Sequence, residues 1–148
     1  MSLARQIVML LDLATEPLSA RTLVAQMAQD GSLTPSIIMT ALCRGRITFF
    51  TMALASMARV PLVNAIRLVN DRGEHGFNGI YMKSGLPESM MPAMRMIVRG
   101  VQDLQTDESI VGSSLYATRL VERVLFHVGT KNIEYIPYFI ALIRQNLR

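Results

Sequence analysis

Residues 47–58 read ITFFTMALASMA, the longest apolar stretch of the chain without a charge, set between Arg44-Gly45-Arg46 and Arg59-Val60-Pro61. A helix that spans a bilayer needs about 20 consecutive apolar residues, so this stretch is too short for that role. Phe49, Phe50, Ala53, Leu54 and Met57 recur at helical spacing. The reading is a helix buried in a protein core, and the rest of the chain has to supply helices that cover it.

Upstream, Thr34-Pro35 has the form of an N-cap followed by a first helical residue, because proline loses no needed N–H in the first turn. The helix it opens carries Ile37, Ile38, Ala41 and Leu42 and breaks at Gly45. Before it, Ser19 is expected to cap a helix with Leu23, Met27 and Ala28 that stops at Asp30-Gly31. Leu3, Ile7, Leu10, Leu11 and Ala14 mark one face of a first helix, which Pro17 is expected to end or bend.

Downstream, Pro61 starts a helix with Leu62, Ala65, Ile66 and Val69, closed by Asn70-Asp71-Arg72-Gly73. A short helix follows through Phe77, Ile80, Tyr81 and Met82 to Ser84-Gly85. Pro87 introduces a long helix to about Gln105, and Pro92 moves its true start towards residue 91. The polar connection TDESIVG, 106–112, leads to a helix capped by Ser113 or Ser114 and carrying Leu115, Leu120, Val121, Val124, Leu125 and Val128. Gly129 ends it, and Tyr135, Ile136, Phe139, Ile140, Ile143 and Leu147 outline a last helix. No segment alternates like a half-buried strand; the one candidate, IEYIPYFIAL, contains Pro137. The expected fold class is all-α: a compact bundle or short HEAT-like stack of about eight or nine short helices, one domain over 1–148. Pro35, Pro61 and Pro87 stand at equal intervals, with Leu42, Leu68 and Met94 at matching offsets. Stacked helical pairs would give that spacing.

The totals point the same way. The 148 residues are 51% hydrophobic and 18% charged, with net charge +4. Such a chain buries a substantial core and still leaves apolar surface for a partner or for a second copy of itself. The single cysteine, Cys43, permits no internal disulfide. Asp12 and Glu16 interrupt the N-terminal apolar stretch and no small-residue cleavage site follows, so no signal peptide is expected, and a cytoplasmic location is. The opening Met1-Ser2-Leu3 has the look of an added leader, with a natural chain that begins further upstream.

Chemistry is sparse. His75 and His127 stand far apart with no cysteine or histidine near either, so no zinc spacing exists. Asp71, Glu74 and His75 could share a cleft or hold a metal weakly, and more simply form a solvated turn around Gly73 and Gly76. Those glycines with Gly79 do not follow a strand and do not make a dinucleotide loop. Asp107-Glu108 lies in the polar connection, with nothing apolar to raise a carboxyl pKa. Cys43 is expected to be a buried small hydrophobe, the alternative being a thiol activated by Arg44 and Arg46. His127 is expected to be packed, or to face a helix dipole. No catalytic residue, cofactor or metal site is expected, and the chain is not expected to be an enzyme.

Two clusters remain. Of eleven methionines, Met90, Met91, Met94 and Met96 fall in one helix. Met90, Met91 and Met94 are the candidate interaction surface, since methionine-rich faces adapt to partners, and core filling is the plainer use. Residues 31–70 contain Arg44, Arg46, Arg59 and Arg67 and no acid, and Arg72 follows. These five are the candidate anion-binding residues.

Residues 41–87 also carry a pattern. It runs through Ala41, Leu42 and Gly45, then Phe49-Phe50, an Ala-rich helix, and Val60-Pro61. It continues with Leu68, Asp71 and Gly73 and closes on Tyr81 and Gly85-Leu86-Pro87. This resembles DUF2336, a bacterial family of unknown function. The resemblance implies an all-helical protein that forms the C-terminal part of something longer, with HEAT-like helices upstream. It implies no activity, because the matched residues are turn glycines, helix-start prolines and apolar side chains that packing alone requires. The leading expectation is a non-enzymatic protein-interaction or regulatory module, self-associating in its simplest form. The alternatives are nucleic-acid binding through the arginines, and a ligand-binding or enzymatic bundle around Asp71, Glu74 and His75.

Overall fold

The computed structural model describes residues 16–71, 73–105 and 114–145. The helix expected over Leu3–Ala14, the connection with Asp107 and Glu108, the Ser113 cap, Arg72 and Leu147 lie outside them.

Among the described residues there are eight α-helices and no strand. Helix α1 is Pro17–Asp30, with Glu16 as its N-cap. Pro17 therefore opens this helix, and Ser19 does not cap it. A first-turn N–H has no intrahelical partner, so a proline there loses nothing. Helix α2 is Pro35–Cys43, and the Ile37 N–H donates to the Thr34 side chain as the sequence required. Helix α3 is Ile47–Ala58, and α4 is Leu62–Asn70. Arg59, in the left-handed conformation at φ 56°, stops α3, and the chain turns by 118° into α4.

Helix α5 is Glu74–Lys83. A 3-10 turn at Glu88–Met90 leads into α6, Met91–Leu104, so the true start lies where Pro92 indicated. Helix α7 is Ser114–Val128 and α8 is Ile136–Arg144, with Pro137 in its first turn. The candidate strand is thus mostly helix.

The position of α3 explains its composition. It touches α1, α2, α4, α5 and α6, and eight of its side chains are buried, Phe49, Phe50, Ala53 and Leu54 among them. A helix surrounded in this way cannot keep a polar face. No described helix is long and apolar enough to cross a membrane; α3 and α4 meet that composition only as a sharply bent pair. Around α3, α2 packs on α6 and α8, α6 on α7, and α7 on α8.

Two glycines let elements close up. Gly45 turns α2 into α3 at φ 79°, against the ring of Tyr116 on α7. Gly100 lets α6 meet α7: a Cβ there would lie 3.1 Å from both Leu120 Cδ1 and Val124 Cγ2. Tyr81, fully buried, donates its hydroxyl proton to the Pro87 carbonyl at 2.6 Å, which ties α5 to the turn before α6. Its own pKa is pushed up to about 12 by burial.

Candidate functional site

Helix α6 has two faces. Ala93, Met94, Met96, Ile97, Val98 and Val101 are buried. Arg95, Arg99, Gln102 and Asp103 recur at intervals of three and four residues, so they share the other side. That side forms one wall of a cleft of about 350 Å³. Val69 and Asp71 at the end of α4, Phe77 of α5 and His127 of α7 complete it.

The polar groups of the cleft are committed unequally. Asp103 is held from α7: Arg123 Nε donates to its Oδ2 at 2.9 Å, and His127 Nε2 pairs with the same oxygen at 2.6 Å. Partial burial pushes the Asp103 carboxyl up, but the hydrogen bonds and charges of His127 and Arg123 outweigh it, and the net direction is down. Asp71 accepts the Gly73 N–H at 3.0 Å, and its side chain fills the space where a Cβ of Gly76 would stand. Gln102 donates to Asn70 Oδ1 at 2.9 Å and so ties α6 to the end of α4.

Arg95 is different. Its side chain is only 16% exposed. One nitrogen donates to the neutral Asn78 amide at 2.9 Å, and Nε is buried without an acceptor among the described residues. The nearest carboxylate, the largely exposed Glu74, stands 3.9 Å away. Arg99, one turn on, is half-buried in the same wall, and no carboxylate pairs with it among the described residues.

The lowered Asp103 pKa has a stability consequence. A carboxyl whose folded pKa is depressed stabilises the fold above its ordinary value, 3.8, and that contribution disappears as pH falls through the folded value. Unfolding midpoints in urea, measured from pH 5 down to pH 2, should therefore fall, and Asp103→Asn should flatten part of that fall. An identical profile for the variant would contradict the pairing.

The residues singled out from the sequence are distributed as follows. Asp71 reaches the cleft, Glu74 sits at its rim beside Arg95, and His75 is exposed and does not line it. The three are thus not gathered, and among the described residues no group of three His, Cys, Asp or Glu is placed to hold a metal ion. Met94 is fully buried, and Met90 and Met91 are half-buried against the core, so this cluster is core filler and not an exposed interaction face. The core takes Met91 and Met94 from α6 and Met90 from the turn before it, because an unbranched side chain fits irregular gaps.

Arg44 and Arg46 are half-buried at the start of α3, and Arg59 is exposed beyond its far end. At 1.5 Å per residue, α3 separates them by about 18 Å. Arg67 is exposed on α4. The four described candidate anion-binding arginines therefore do not converge on one point. Cys43 is 1% exposed, and burial pushes its thiol far above the ordinary range, so the activated thiol is not what α2 presents.

A second surface lies between α7 and α8. Leu125, Ile136, Pro137, Ile140 and Ala141 line an open groove, with Arg144 and Gln145 at its edge. Beside it Phe126 is 67% exposed and carries the Arg123 guanidinium 4.4 Å from its ring centre. Tyr138 on α8 is 49% exposed. The periodicity of α7 marked Leu125 as a core residue, and Phe126 fell off that face. Only the packing of α8 reveals that both are left outside.

No curated protein and no solved structure matches the chain. A family model does, over residues 2–131, which takes in the cleft and all of α7. The segment that carried the resemblance is thus part of a match that runs through most of the sequence, and the chain belongs to DUF2336, a family of uncharacterised proteins conserved in bacteria.

Proposed function

We propose that this chain is a non-enzymatic, cytoplasmic interaction module, and that the α7–α8 face receives a protein partner, of which a second copy of the chain is the simplest. The observation that carries this is Phe126, a large aromatic ring mostly in solvent beside an apolar groove lined by Leu125, Ile136, Pro137 and Ile140. Contiguous exposed apolar surface of this kind marks protein contacts, and an aromatic flanked by an arginine is a common energetic centre of them. The groove between two helices suits a third, amphipathic helix laid along it. The succession of α2 on α3, α4 on α5 and α6 on α7 supports the stacked-pair reading of the evenly spaced prolines.

The test is a comparison of the tagged chain with its Phe126→Glu variant. Light scattering over a concentration series reads self-association, and retention from a lysate of the source, with nuclease present, reads other partners. Association or a stoichiometric protein seen with the parent chain and lost in the variant is expected. Equal behaviour of the two, or retention that depends on intact nucleic acid, would overturn the reading, and the latter would favour the arginines.

A further inference from the structure

We infer that the cleft walled by α5, α6 and α7 binds a small organic anion, its carboxylate or phosphate group held between the guanidinium groups of Arg95 and Arg99. The inference does not rest on the α7–α8 face, since the two surfaces have no lining residue in common.

The first argument is a largely buried charge whose one acidic neighbour is distant and solvated. A guanidinium taken largely out of water is costly unless an anion lies against it. Arg95 is so placed, yet its short hydrogen bond goes to a neutral amide, and the nearest carboxylate is 3.9 Å off and mostly in solvent. Arg99 stands four residues on, in the same wall, where two like charges repel. One oxyanion between them would pair with both, and the fork geometry of arginine suits carboxylate and phosphate equally.

The acids of the cleft do not already serve this purpose. Asp103 is bound by both Arg123 and His127. Asp71 lines the cleft, but its Oδ1 accepts the Gly73 N–H at the start of α5, where the helix terminus is itself partly positive. Glu74 is the one acid that competes for Arg95, from the rim. Asp71 keeps its charge but forms no ion pair with Arg95 or Arg99, so these two are the guanidinium groups of the wall without a short carboxylate contact among the described residues.

The second argument is shape. The volume of about 350 Å³ lies at the small end of ligand sites. Phe77, Val69 and Val98 add apolar lining beside the charges of the cleft. A body of one ring or a short chain bearing one anionic group has that combination of size and polarity, which inorganic phosphate lacks.

The experiment is a titration of the ¹⁵N-labelled chain with benzoate, phenyl phosphate, inorganic phosphate and the uncharged benzyl alcohol, followed by amide chemical shifts. Saturable shifts centred on 95–103 and 123–127 are expected with benzoate or phenyl phosphate, and whichever binds more tightly identifies the anionic group. Arg99→Gln should weaken that binding at least tenfold while leaving the melting temperature close to that of the parent. Arg95→Gln serves as a second variant, with Asn78 left to accept from the new amide. Absence of saturation at millimolar concentrations, equal shifts with benzyl alcohol, tighter binding of inorganic phosphate than of either aromatic anion, or unchanged affinity in both variants would each overturn the inference.

Discussion

Replacing Phe50 by alanine is expected to cost about 3–5 kcal/mol of folding stability. Phe50 has no solvent exposure and lies in the first turn of α3, the helix that five others touch. Removing the ring takes away its transfer from water and leaves a void, and helices packed on several sides cannot all relax inward at once. Domains of this size are stable by about 5–15 kcal/mol in total. The variant should therefore unfold at a much lower urea concentration with an unchanged slope, followed by far-ultraviolet circular dichroism. Phe126→Ala, at a ring mostly in solvent, should change the midpoint little. Equal effects at the two positions would mean that α3 is not the centre of the core.

Gly45→Ala is expected to cost about 2–5 kcal/mol, from two sources. The left-handed backbone at φ 79° charges a side-chain-bearing residue about 1–2 kcal/mol. In addition the new Cβ would come within 2.6 Å of Tyr116 Cζ, and that tyrosine is nearly buried, so the ring has little room to retreat. Displacing a packed side chain adds about 1–3 kcal/mol. Gly79→Ala is the matched control. It lies within α5 with nothing within 4 Å of its Cβ position, so the same chemical change should stabilise by about 1 kcal/mol. Opposite signs at the two glycines, read from thermal melts, are the expected result; a neutral Gly45→Ala would contradict the close approach of α7.

The core was legible because α3 leaves no alternative: a charge-free helix too short for a membrane has to be covered by other helices. The boundaries followed where proline and glycine act in one direction only, as at Thr34-Pro35 and Gly129. Ser19 was misread as the cap of α1 because proline marks the end of one helix and the start of another with equal force. The methionines of α6 were ambiguous for a similar reason, since methionine serves cores and surfaces alike, and the packing of α3 and α7 decides between them.

The cleft was legible only at Asp71. No motif or spacing singled out Arg95, Arg99 or Asp103. What makes them a wall is the arrival of His127 and Phe77 from other helices, 24 residues from Asp103 in the first case. Spacing along a chain reports what a helix does to its own residues and is silent on which helix lies opposite.

Gly100 bears on how these parts move. With Leu120 and Val124 seated against bare backbone, α6 and α7 have no slack between them. A shear step, in which one packed helix slides along another, would drive those two side chains into the α6 main chain. The pair therefore behaves as a single plank, and rearrangement in this half of the molecule is confined to its edges, where α5 and α8 lean on it.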